Sequence, residues 1–240
     1  MKESLYKNLL VIDIETVSMV ADYNALDDRM KTLWDKKSAH LKNDDELTTD
    51  ELFAKRAGIY AEFGKIVCIS AGFLTLDTDN HSALRVKAFA DDDESVVLQS
   101  FKTLIEQKFD QQTLRLVAHN GKEFDFPYIC RRMLINGISI PEALQISGKK
   151  PWEIHHIDTM ELWKFGDFKN YTSLDTLAAL FNIDSSKDDI DGSMVNDIYY
   201  TENDLERIAL YCKKDVIVTT QVFLKLNGHD QVDAENIQIL

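Results

Sequence analysis

An α/β chain with a mixed sheet flanked by helices is what the sequence predicts, and three observations predict it. Three strand-like segments follow one another and then give way to alternating helix and strand patterns. Three prolines and nine glycines in 240 residues, about 5% against a usual combined share of about 12%, favour long regular elements. The composition, 45% hydrophobic and 28% charged, is that of a globular chain, and no apolar run approaches the ~18 residues of a membrane-crossing helix.

Taken in order, Leu9–Glu15 reads as a strand because it is apolar and β-branched. Its period of two sets Asp13 and Glu15 on one face. Asp22–Glu62 breaks the pattern: ten acids, seven bases and helix-spaced Leu26, Met30, Leu33 and Trp34 predict a charged helical insertion. A solvated helical hairpin is the favoured reading of it, and a cap over a substrate cleft the alternative. Lys65–Leu76 and Ala83–Ala90 read as the next two strands, joined by the turn-rich Asp77–His81. Val97, Phe101, Leu104, Ile105 and Phe109 predict a helix over Glu94–Phe109. Leu114–Ala118 is a short buried strand. A helix then begins near Asp125, with Pro127 in its first turn, and stops at Gly137. Ser173 is the expected cap of Leu174–Phe181, and Thr201 or Asn203 that of a long helix from about Asp204 to Leu226.

Charge and cysteines narrow the class. Cys68, Cys130 and Cys212 are scattered, odd in number and free of any CxxC, which excludes a disulfide framework and a cysteine zinc site. Met1–Asn8 is polar, and the apolar run Leu9–Ile14 is too short for a secretory leader, so a cytoplasmic location is expected. The net charge of −14 argues against a binder of long duplexes. It leaves room for an enzyme that grips a few terminal nucleotides and recruits divalent cations. Arg131, Arg132, Lys149, Lys150, Lys164, Lys169, Lys213 and Lys214 are candidates for a phosphate-facing rim.

Three short patterns need explaining. Asp13-Ile-Glu15-Thr16 puts two carboxylates on one side of a strand end. At ~4 Å they repel by roughly 4 kcal/mol at an effective dielectric near 20. A salt bridge, a shared proton or a metal ion relieves that; a strand simply leaving the core is the plainer account. His119-Asn120-Gly121-Lys122-Glu123-Phe124-Asp125-Phe126-Pro127-Tyr128 lies where a buried strand gives way to a helix, a usual place for function on an α/β sheet. Asp125 alone is equally well explained as a helix cap. In Tyr211-Cys-Lys-Lys-Asp215 the i, i+4 spacing places phenol and carboxylate on one helix face, which Val218 and Val222 continue. A buried Asp there must be paired or bind a cation.

The ordered set resembles the three motifs of the DEDD (DnaQ-like) 3'-5' exonucleases, and most closely those of the proofreading domain of family-B DNA polymerases. Asp-x-Glu corresponds to Asp13 and Glu15, Asn-x-x-x-Phe-Asp-x-Pro-Tyr to Asn120–Tyr128, and Tyr-x-x-x-Asp to Tyr211 and Asp215. The chain is similar to the stand-alone bacterial family related to that domain, from about Leu9 to Phe223. The subclass it resembles is the tyrosine one, since the position of the sister subclass's histidine is Leu210.

The resemblance implies a ribonuclease-H-like fold, with an exonuclease domain over 1–227 and an acidic tail over 228–240. It implies catalysis by Asp13, Glu15, Asp125, Asp215 and Tyr211, the four carboxylates holding two divalent cations, Mg2+ or Mn2+, which suit an all-oxygen donor set. The implied substrate is the 3' end of single-stranded DNA, met by the Thr16 backbone and the Val17 side chain, with Asn120 and Phe124 shaping the strand path. RNA 3' ends remain an alternative substrate, as does a non-catalytic nucleic-acid-binding module with the same fold; no membrane partner is expected. Other patterns weigh less. His155, His156 and Asp158 point to structure, with Asp158 near a helix start. Asp188–Ser193 lacks the spacing of a calcium loop. Trp34, Trp152 and Trp163 are expected to pack rather than to stack bases.

Overall fold

Strand β1, Leu9–Ser18, is the axis of the fold in a computed structural model that describes residues 2–76, 81–167, 171–187 and 189–240. A short helix α1, Lys2–Tyr6, leads into it. After β1 come helices α2, Asp28–Ser38, and α3, Thr49–Arg56, then strands β2, Gly64–Leu76, and β3, Ser82–Ala90. Helix α4, Glu94–Lys108, precedes β4, Arg115–Ala118, and α5, Asp125–Ile135. The two-residue β5, Ile157–Asp158, runs into α6, Thr159–Lys164, followed by α7, Leu174–Leu180, and the single turn α8, Val195–Asp197. The long α9, Leu205–Leu226, and β6, Ile237–Ile239, end the chain.

The strands form one six-stranded sheet in the order β5-β4-β1-β2-β3-β6. β1–β2 and β2–β3 are antiparallel, whereas β1–β4, β4–β5 and β3–β6 are parallel. Alternation along β1 divides its side chains between two layers. Leu10, Ile12 and Ile14 pack against Val97, Phe101 and Ile105 of α4 and Phe126 and Ile129 of α5. Leu9 and Val11 pack against Val216, Phe223 and Leu224 of α9. α9 comes close because β2 offers a glycine beneath it: a Cβ on Gly72 would lie 2.6 Å from Val216 Cγ1. Among the described residues no helix is long and apolar enough to cross a membrane.

Several expectations need correction. The long helix is capped by neither Thr201 nor Asn203. Asn203 takes a left-handed φ of 56° after the wide turn Ile198–Glu202, and the Asp204 carboxylate accepts from Arg207 N–H. The segment 228–240 is no free tail. Gln221 exchanges two hydrogen bonds with the Val232 backbone, and β6 extends the sheet beside β3. Arg132 belongs to no exposed rim, being buried and paired with Glu94. Lys169 and the turn predicted at 77–80 lie outside the described residues. The charged stretch 22–62 is helical as predicted, but it also has a core of its own, in which Trp34, Phe53, Leu26 and Phe63 are buried.

Candidate active site

The parallel pairing of β1 with β4 stops at Val11. Beyond it lie the carboxyl ends of the parallel strands, the usual ligand position on such sheets. The residue that follows the β4 turn at this end of the sheet is Asp125. It is the first helical residue of α5 rather than its cap, it is 3% exposed, and its own N–H and that of Ile14 favour its charged form. On the face toward α9, alternation along β1 carries Leu9 and Val11 into Asp13, Glu15 and Val17. The apolar contact between strand and helix is therefore interrupted by acids. Across from them α9 presents Tyr211, Cys212 and Asp215. The Cys212 thiol donates to the Asp13 carbonyl oxygen at 3.4 Å and to Asp13 Oδ2 at 3.3 Å.

All four predicted acids thus share one site. Burial, first, and then Asp215, Glu15 and Asp125 push the Asp13 carboxyl well above its ordinary range. Glu15 is raised in the same way by burial and then Asp215. Burial pushes Asp125 up to about 7, against the two N–H bonds that favour its charge. Asp215 is raised by burial and eased by hydrogen bonds from Ser186 and Tyr211 and by the charge of Lys187. Once ionised, these carboxylates fit divalent cations, because charge of the opposite sign is what their surroundings lack. Asp13, Glu15 and Cys212 are, among the described residues, the one set of three whose ligand atoms all lie within 4.8 Å of one another. The Cys212 thiol is pushed up by burial and by its neighbours, so it remains an S–H donor and leaves an oxygen donor set suited to hard ions.

A pH dependence follows from Asp125. Its carboxyl holds a proton to about pH 7 in the fold but only to about 4 in the unfolded chain. Without metal its contribution to stability therefore falls as pH rises from about 4 to 7. An ion that binds the ionised cluster must displace that proton. The gain in Tm produced by Mn2+ over EDTA is expected to grow between pH 6 and pH 8. A gain that stays flat over this window would place the ion on exposed acids.

The remaining site candidates separate. Thr16 follows a register shift in the β1–β2 ladder and is half-buried. Val17 is 0% exposed and packs with Val67, Ile190 and Ile208, so its side chain offers no surface to a nucleotide; it is the third apolar step of the face turned to α9. Asn120 adopts φ 64° and donates its N–H to Asp158 Oδ1 at 3.0 Å. Its Oδ1 is, among the described residues, the one buried side-chain oxygen or nitrogen with no partner. Phe124 is half-buried, its ring 5.3 Å from that of Tyr128.

Asp158 caps α6 and also receives Lys122 N–H, which makes it a brace for the 119–123 turn. His156 takes Leu116 N–H on Nδ1 and meets the Ala143 carbonyl with Nε2; burial holds it neutral, down to about 4. His155 is exposed. Asp188 lies outside the described residues, while Asp191 closes a local turn with Ser193. Trp34 is a core residue, Trp163 packs edge-on against Phe181, and Trp152 is exposed beneath Lys150. Sequence reading missed Cys212, Ser186 and Lys187. Cys212 alone carried a signal, lying three residues before Asp215 on the same helix face.

A mixed sheet whose central strand and last long helix pool buried acids defines a ribonuclease-H-like α/β domain of the kind found in polymerase exonuclease domains. In keeping with this, 90% of the chain superposes on 24% of the structure of the family B DNA polymerase from the hyperthermophilic archaeon Pyrobaculum calidifontis, with a TM-score of 0.55 and 14% identity. The chain spans about a quarter of that protein's length, and the likeness is one of fold. Residues 59–238 match the family described as predicted 3'-5' exonuclease related to the exonuclease domain of PolB, and the chain belongs to that family. The match includes Asn120–Tyr128, Tyr211 and Asp215, while Asp13 and Glu15 precede it. No curated protein matches the chain.

Proposed function

We propose that the protein removes nucleotides from the 3' ends of single-stranded DNA with the help of two divalent cations, Mg2+ or Mn2+, held by Asp13, Glu15, Asp125 and Asp215. The observation that carries this reading is the convergence of four mutually repelling carboxylates, Glu15 and Asp125 buried and Asp13 and Asp215 part-buried, an arrangement that costs stability unless cations enter it. When bound, such ions would activate water and stabilise the leaving 3' oxygen. The chain's own residues supply orientation. The Tyr211 phenol is raised far above its ordinary range by burial and then by Asp215, Glu15 and Asp13, so it stays protonated. With the cations bound it would orient the attacking water or take part in removing its proton. On this reading the Thr16 backbone would meet the terminal nucleotide, and Asn120 and Phe124 would shape the strand path.

The direct test uses 5'- and 3'-labelled single-stranded oligonucleotides, DNA and RNA in parallel, with Mn2+, Mg2+ or EDTA. Mononucleotides should leave DNA from the 3' end, only with metal, and a 3'-phosphate should slow them. Nicking of circular single strands that disappears in Asp125→Ala would overturn the assigned polarity. Tyr211→Phe keeps the ring and all four carboxylates, so its melting temperature should barely change. Its single-turnover rate should fall on the order of tenfold to a thousandfold. A wild-type rate would make Tyr211 a packing aromatic.

A further inference from the structure

The connection from β1 to β2 leaves and rejoins the sheet at one place. Ser18 pairs with Gly64, and Met19 N–H donates to Phe63 O at 2.8 Å. The whole charged segment 22–62 is thus an enlarged hairpin loop, hung just beyond Thr16. Its returning turn, Ala57–Ile59, folds back on β1: a Cβ on Gly58 would lie 3.1 Å from the Val17 carbonyl carbon and 3.2 Å from Thr16 O. The fastening comes from α5. Tyr128, 1% exposed, donates its hydroxyl to Gly58 O at 2.8 Å. The phenol fits because position 64 is glycine, where a Cβ would lie 2.3 Å from the Tyr128 hydroxyl and 2.9 Å from Gly58.

Through Gly58, which lies against the Thr16 and Val17 backbone, this one bond ties β1 just past Glu15 and the returning turn to the helix that begins with Asp125. The junction falls where the ladder is weakest, since register slips between Glu15 and Thr16 and pairing with β2 alone does not fix the strand there. Packing needs only the Tyr128 ring, which Phe124 and the surrounding core already hold. The hydroxyl adds a directional tie.

We infer that Tyr128 is a positioning residue for the carboxylate site, fixing the returning turn of segment 22–62 onto the irregular end of β1 and so setting Glu15 and the Thr16 backbone relative to Asp125. This rests on the exonuclease reading of that site. Tyr128→Phe should lower kcat on a single-stranded DNA oligonucleotide about tenfold, because small misplacements of reacting groups are costly. It should raise the Mn2+ concentration for half-maximal rate severalfold, with KM for the oligonucleotide within about twofold. Gly64→Ala, which displaces the phenol, should do more.

The Mn2+ midpoint is also read without turnover, from the metal-induced rise in Tm, and it should shift in Tyr128→Phe. A variant that melts lower but keeps the wild-type kcat and both Mn2+ midpoints would overturn the inference. Absence of 3' degradation by the wild type, with the Mn2+ midpoint by Tm still shifted in Tyr128→Phe, would sink the exonuclease reading and leave the positioning role standing.

Discussion

Asp13→Asn is expected to melt higher than the wild type in EDTA and yet to cut almost nothing. Asp13 shares its burial with Glu15, Asp125 and Asp215, and removing one unit of like charge relieves each of the others. The gain should be about 1–2 kcal/mol, the usual range for a stabilising substitution at a strained functional site. It should be clearest near pH 8, where the cluster is most ionised. Turnover should fall on the order of a thousandfold, the upper end of what loss of one electrostatic stabiliser costs. Melting in EDTA and single-turnover cleavage at saturating Mn2+ read the two effects. Stability and activity moving together, in either direction, would mean that Asp13 is structural.

The largest loss of stability should come from Glu94→Ala. The Glu94 carboxylate accepts from Arg132 Nε at 2.8 Å and Nη2 at 2.5 Å, from Ile66 N–H at 2.7 Å and from Asn136 Nδ2 at 2.8 Å. Arg132 Nη1 donates onward to Ala61 O at 2.8 Å, and both side chains are 7% exposed. Removal of Glu94 leaves a buried guanidinium without its counter-charge, a change that costs about 3–5 kcal/mol. Glu94→Leu combined with Arg132→Met should recover much of this, since both charges vanish together, although Ile66 N–H and Asn136 lose an acceptor. Urea unfolding of the two variants gives the comparison. A loss below about 1 kcal/mol in Glu94→Ala would show that water reaches Arg132.

Periodicity accounts for what the sequence made legible. A period of two was enough to put Asp13 and Glu15 on one face of β1, and the i, i+4 spacing to align Tyr211 with Asp215. Those faces meet because the same alternation buries Leu9 and Val11 against α9. What escaped has no period. Ser186 and Lys187 reach Asp215 from a loop, and loops are positioned by tertiary contacts that local spacing does not encode. Asp125 read equally well as a helix cap; only the early end of the β1–β4 pairing turns its carboxylate toward Ile14. The charges of 22–62 concealed Trp34 and Phe53, whose burial depends on α2 and α3 closing over Phe63. In the last thirteen residues the acids outweighed Ile237-Gln238-Ile239, an alternation too short to be read as a strand.

The contact between Cys212 and Asp13 spans 199 positions of the chain. During synthesis, which proceeds at about 5–20 residues per second, β1 leaves the ribosome long before α9 exists. A nascent or prematurely terminated chain thus holds Asp13, Glu15 and Asp125 without the helix that covers them, and its carboxylate set is incomplete. α9 both closes the apolar layer and completes the acid cluster, so the proposed cation site is whole only in the finished fold. On the proposed function, a chain cut short before α9 would be inactive on nucleic acid.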